Sequence, residues 1–207
     1  MMFSDEDGRL AVRVARSAVE HHVTRTTQES FDVPPLFKQK SGVFVTLTTH
    51  PGDDLRGCIG YPEPTMPLVD AIRDSAVSAC ARDPRFPPVS AGELDKLKVE
   101  VSLLTPPEEV KTKDRADLPS RVKVGTDGLI IQKGWARGLL LPQVPVELEW
   151  DAEEFLTQTC MKAGLPPDAW LSKDTKLFKF QAEVFSEDGP RGEVARRDLS
   201  EEHGCGH

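Results

Sequence analysis

Two alternating runs joined by a short polar turn constrain this chain more than any other feature. Gly42-Val43-Phe44-Val45-Thr46-Leu47-Thr48 is rich in β-branched residues, Pro51-Gly52-Asp53-Asp54 supplies a turn, and Leu55 to Gly60 returns. The pattern predicts an antiparallel hairpin. With a loop from His50 to Asp54, Thr48 stands opposite Arg56, Thr46 opposite Cys58 and Phe44 opposite Gly60. Directly paired residues share a face. One face is then Val43, Val45, Leu47, Leu55 and Ile59, which is core. The other collects Thr46, Thr48, Arg56 and Cys58, with Gly60 leaving open space beside them. A slip of one residue would bury an arginine, so the apolar pattern defends this register.

The remaining elements alternate between helix and strand periodicity. Ser4 with Asp7 caps a first helix whose face carries Leu10, Val14, Ala18 and His21. Phe31 to Gln39 reads as an irregular connection. A second helix starts at Thr65-Met66-Pro67, buries Leu68, Ile72, Ala76 and Ala79, and ends at Asp83-Pro84-Arg85-Phe86-Pro87-Pro88. Ser90 and Glu93 form a capping box before Leu94 to Leu97, and Val99 to Leu103 alternates as a strand. Pro106 to Ser120 is a charged surface excursion. Leu129–Gln132 and Gly138–Leu141 are strands joined around Gly134, Asp151 and Glu154 cap a helix ending at Gly164, and Phe178 to Val184 is a last strand. From Ser186 the chain is polar and is expected to fray. Hairpins interspersed with helices, without regular βα alternation, predict an α+β fold with antiparallel or mixed sheets flanked by helices.

Charge and cysteine usage exclude several functions. With 34 acidic against 26 basic side chains the formal charge is −8, so phosphate backbones are not attracted and nucleic acid is disfavoured as a partner. The four cysteines, at 58, 80, 160 and 205, are too sparse for a secreted disulfide framework. The start, Met1 to Asp7, has no basic region followed by an apolar one, and no apolar run reaches the ~18 residues of a membrane span. A cytoplasmic location without membrane contact is expected. No glycine-rich phosphate loop follows a strand, and no cofactor fingerprint is present. His203, Cys205 and His207 offer a weak metal site with three ligands, one short of the usual structural zinc set.

The polar face of the hairpin is a sensible place for a thiol. An ordinary cysteine is only about 3 % thiolate at pH 7. Arg56, roughly 6–7 Å along the strand, is expected to lower the Cys58 pKa modestly, short of strong activation. His50 is the nearest histidine in sequence, but it sits at the loop end.

Leu55-Arg56-Gly57-Cys58-Ile59-Gly60 resembles the six-residue signature of the AMMECR domain family. The likeness extends through Gly42 to Leu47, Asp83 to Val89, Leu139-Leu140-Leu141-Pro142-Gln143-Val144, Trp150 and Lys162 to Pro166, over about residues 8 to 186. The resemblance implies one domain, residues 1–190, made of two unequal, intimately packed subdomains; residues 191–207 beyond it are expected, from their polar composition, to be a disordered tail. It also implies a cleft near the signature, whose candidate lining is Thr46, Thr48, Arg56, Gly57 and Gly60 of the hairpin with Arg85 and Gln143 of the family motifs. Prokaryotic relatives resemble component A of a three-component set that also holds a Memo-like protein and a radical S-adenosylmethionine protein. Eukaryotic relatives carry a long low-complexity N-terminal extension that this chain lacks, which points to an archaeal or bacterial source.

The resemblance names no reaction, and two functions stay open. In one, the protein is an accessory module whose cleft binds a small ligand or partner, with Arg56 and Arg85 reading a carboxylate or phosphate. In the other, it is a thiol-dependent enzyme with Cys58 as the catalytic nucleophile or redox residue, oriented by Thr46 and Thr48. Oligomeric state is not legible.

Overall fold

The computed structural model describes residues 3–27 and 29–197. In chain order the elements are α1 (Asp5–Thr24), β1 (Val43–Thr49), β2 (Leu55–Tyr61), α2 (Leu68–Ala81), β3 (Leu97–Leu104), β4 (Glu108–Glu109), α3 (Leu118–Arg121), β5 (Asp127–Lys133), β6 (Ala136–Leu140), α4 (Val144–Glu147), α5 (Ala152–Lys162), β7 (Lys176–Glu187) and β8 (Val194–Arg197). The fold is α+β, an antiparallel sheet flanked by helices. It divides into two compact units, residues 1–104 with 183–197, and residues 105–182.

In the first unit the strands run β2-β1-β3, followed by the 183–187 end of β7, which carries β8. α1 and α2 pack on each other and on these strands. Alternation along β1 buries Val43, Val45 and Leu47 completely in one cluster with Val99 and Val101 of β3 and Leu68 and Ile72 of α2. Removing such side chains from water contributes about 1.5–3 kcal/mol each, and this holds the register. α1 starts at a reciprocal capping box: Asp7 N–H donates to Ser4 Oγ (3.1 Å), and Ser4 N–H donates to Asp7 Oδ2 (2.9 Å).

The buried face of α1 is wider than its spacing predicts. It includes Ala11, Val12, Ala15 and Val19, leaves Leu10 and His21 at the rim, and takes in Arg16. Arg16 is accommodated because Glu187 meets its guanidinium and the Leu97 carbonyl accepts from Nη2 at 2.7 Å. The capping box at Ser90 and Glu93 forms as its residues predict, though on a 3-10 turn, Ala91–Lys96.

In the second unit β4 and β5 flank residues 176–182 of β7, with β6 outside β5. α5 lays Phe155, Leu156 and Cys160 on Leu129, Ile131 and Leu177. Asp151 caps α5 by accepting from Glu154 N–H at 2.8 Å, and Gly164, at φ +71°, lies just past its end.

The expected fraying from Ser186 is overturned for residues 186–197. β7 continues to Glu187, and Val194–Arg197 pairs back on Val184–Glu187. The segment is polar, but its arginines find distant carboxylates. Arg196 bonds Asp5 (3.0 Å) and Glu183, and stacks 4.6 Å above the Phe185 ring. The metal candidates His203, Cys205 and His207 lie outside the described residues. Among those described, no cluster of His, Cys, Asp and Glu is arranged for a metal ion, and no helix is long and apolar enough to cross a membrane.

Candidate functional site

The β1–β2 hairpin forms with Thr46 opposite Cys58 and Phe44 opposite Gly60, as the pattern requires. The register then shifts between Leu47 and Thr48: Leu47 pairs with Gly57 but Thr48 pairs with Leu55. Arg56 is thus the extra residue of a bulge, and the expected Thr48–Arg56 pair does not exist. Thr48 stays half-buried between Leu55 and Lys98.

The bulge separates Arg56 from the thiol. Its Nε donates to Glu93 Oε1 (2.8 Å), its guanidinium lies 5.9 Å from the Phe86 ring centroid, and only 11 % of the side chain is exposed. Arg56 in turn holds the Glu93 carboxyl down at about 2, helped by Ser90. The expected assistance to Cys58 from Arg56 is therefore replaced by that of another residue, Arg85.

Two glycines of the signature are required by close approach. A Cβ at Gly57 would stand 2.2 Å from the Ala79 carbonyl oxygen, so this position is where β2 presses on α2. A Cβ at Gly60 would stand 2.3 Å from the Val43 carbonyl oxygen and 2.5 Å from the Phe44 ring. The open space expected at Gly60 is filled by that ring. Both residues are required by packing.

β2 is an edge strand, and its outward backbone groups at Cys58 are met by side chains. Asp83 Oδ2 accepts from Cys58 N–H (2.9 Å), and Arg85 Nη2 donates to the Cys58 carbonyl (3.3 Å). These two side chains stand in for a neighbouring strand and close the edge. Asp83 is 2 % exposed. It also accepts from Arg85 N–H (3.1 Å), Nε (2.9 Å) and Nη2 (2.7 Å). Arg85 and these N–H groups hold its carboxyl well below the usual carboxylate range. From the sequence, Asp83 is placed only at the end of the second helix and is not named as a site residue. The available signal was Asp-Pro-Arg, where an aspartate side chain commonly bonds the N–H two residues on.

Around the thiol, Thr46 Oγ1 donates to Cys58 Sγ at 3.3 Å, and Glu100 stands across β1 beside Thr46. Burial pushes the thiol pKa up. The Thr46 bond and the Arg85 charge oppose that rise, while Glu100 and Asp83 add to it. Burial wins, so the neutral thiol is the resting form. No imidazole or amine is among the groups acting on it. Arg85 remains 52 % exposed, and its Nη1 has no hydrogen-bond partner among the described residues. Cys80 and Cys160 are buried core thiols, the former pushed up to about 11 by burial.

The structure therefore brings together Thr46, Cys58 and Arg85, adds Asp83 and Glu100, and turns Arg56 away. Gln143 belongs to the second unit, at the start of α4, where its Oε1 is buried without a partner among the described residues.

Comparison with known proteins covers almost the whole chain. The profile of the AMMECR1 family matches residues 12–185. A protein of Methanothermobacter thermautotrophicus is 54 % identical over 188 residues, spanning 90 % of this chain and 97 % of that protein. Protein MJ0810 of Methanocaldococcus jannaschii is 50 % identical over 194 residues, 94 % and 96 % of the two chains. The crystal structure of the uncharacterized protein PH0010 from Pyrococcus horikoshii superposes with a TM-score of 0.86 at 51 % identity, covering 95 % of this chain and 98 % of that one.

Proposed function

The chain belongs to the AMMECR1 family, a family of uncharacterized proteins, and on that premise we propose that it is an accessory protein that binds at its signature hairpin. The occupant is a small anionic ligand or an anionic group of a partner. The observation that carries this reading is the division of labour in Arg85: Nε and Nη2 are spent on Asp83 and the Cys58 carbonyl, while Nη1 has no hydrogen-bond partner among the described residues and half of the side chain is exposed. A guanidinium anchored in this way loses little rotamer freedom on meeting a carboxylate or phosphate. Following the family resemblance, the protein works in the cytoplasm beside a Memo-like protein and a radical S-adenosylmethionine protein.

A thiol-dependent enzyme is the competing reading. The Thr46 bond to Sγ and the charge of Arg85 both favour a thiolate at Cys58, and they would carry a nucleophile if burial were relieved. Site-resolved alkylation with iodoacetamide, followed by mass spectrometry from pH 6 to 9.5, separates the two. The binding reading expects Cys58 to react more slowly than Cys205 throughout, with no inflection below pH 8.5. An inflection below 7.5 would sink it in favour of catalysis. In capture experiments with the tagged Memo-like and radical partners, Arg85→Gln should lose binding while Cys58→Ser retains it. The opposite pattern would also refute the proposal.

A further inference from the structure

Apart from the signature hairpin, a cavity of about 840 Å3 lies in the first unit, between α1, Thr26, Thr27 and Glu29, and the segment leading into β8. Its size is within the ~300–1,000 Å3 range of small-molecule sites. Arg191 bonds Glu20 (2.7 Å) and Arg196 bonds Asp5 (3.0 Å), so residues 191–196 run antiparallel along α1, and 191–194 form the opposite wall.

The lining charges define what fits. Three ion pairs lie within the walls: Arg13 with Glu29 at 3.1 Å, Arg16 with Glu187, and Arg191 with Glu20, Arg191 also meeting Asp95 from outside the lining at 2.5 Å. Two lining charges are left over. Arg9 is exposed on the same helical face as Arg13, four residues on, and has no ion-pair partner among the described residues. Glu193, on the facing wall, is likewise exposed and unpaired among the described residues. A polyanion such as a nucleotide would meet as many carboxylates as guanidinia. A polycation would meet the same four of each. Only a molecule carrying one charge of each sign answers both leftovers. Val12 and Val194 add apolar surface, and the hydroxyls of Ser17 and Thr27 add hydrogen-bonding groups suited to amides.

We propose that this cavity is a binding site for a short zwitterionic peptide, its carboxylate taken by Arg9 and its ammonium by Glu193. The proposal does not depend on the hairpin reading.

The test uses three probes of one size on the full chain: trialanine, N-acetyl-trialanine, which lacks the cation, and trialanine amide, which lacks the anion. With a Kd of about 1 mM, 10 mM trialanine should raise the melting temperature by about 3–5 °C. Each blocked peptide should give less than half that shift. Arg9→Gln should bring trialanine down to the level of its amide, and Glu193→Gln should bring it down to the level of the acetylated form. Both residues are exposed, so the variants should melt near the parent temperature. Arg85→Gln should leave the response intact. Equal shifts from all three peptides, a response untouched by Arg9→Gln and Glu193→Gln, or no shift at 10 mM would each overturn the proposal.

Discussion

Asp83→Asn tests the edge closure directly. The carboxylate accepts four hydrogen bonds, from Cys58 N–H and from three N–H groups of Arg85. Asparagine keeps one acceptor oxygen and turns an amide NH2 toward the donors on the other side. If the oxygen stays with Arg85, Cys58 N–H loses its partner at a half-buried position, which costs about 1–3 kcal/mol. The charge contact with Arg85 is also lost. Because half of Arg85 is in water, that loss is screened to roughly 0.2–1 kcal/mol. The total is about 1–4 kcal/mol, or roughly 2–16 °C in melting temperature for a chain of this size. Urea unfolding, followed by far-ultraviolet circular dichroism, reads the change as a lower midpoint at constant m-value.

The pH dependence supplies the sign. The folded carboxyl sits below its unfolded value near 3.9, so its contribution is full above about pH 5 and is lost as pH falls toward the folded value. The gap between parent and variant should be constant from pH 5 to 7 and shrink below pH 4. A variant within 0.5 kcal/mol of the parent, or a gap that persists unchanged to pH 2, would show that the edge of β2 is held by something else.

Two other substitutions probe the frame that supports the site. Gly57→Ala puts a methyl against the helix backbone at Ala79, which cannot move as a side chain would, and should cost about 1–3 kcal/mol by urea melts. A neutral result would mean that β2 does not approach α2 as closely as described. Arg16→Met leaves the Glu187 carboxylate buried without its cation and should cost about 3–5 kcal/mol, whereas Arg16→Met with Glu187→Leu should recover most of that loss. Equal losses in the single and double variants would locate the cost in packing instead of charge.

Much of the fold was legible because it rests on short-range rules. The α1 capping box involves residues three apart, and the α2 stripe of Leu68, Ile72, Ala76 and Ala79 follows helical spacing. The Thr46–Cys58 pairing follows from burying Val43, Val45 and Leu47 together. The bulge at Arg56 was not legible. Counting residues across a turn cannot reveal that one is looped out; its guanidinium is turned to Glu93, 37 positions away. The β8 pairing escaped for the same reason, since Arg196 is held by Asp5, Glu183 and the Phe185 ring.

Of the candidate site, the amino-acid sequence by itself determined its place in the fold, its thiol and threonine on one face, and the family to which the chain belongs. Periodicity and motif identity are properties of neighbouring residues, and they survive without coordinates. Only the tertiary structure decided the chemistry. It buried Asp83, turned Arg56 away and placed Arg85 against the Cys58 carbonyl. It also kept the thiol neutral, because burial there outweighs a single hydroxyl bond and a screened guanidinium. Desolvation and ion pairing are sums over atoms that the chain brings together from far apart, and alternation along one strand does not contain them.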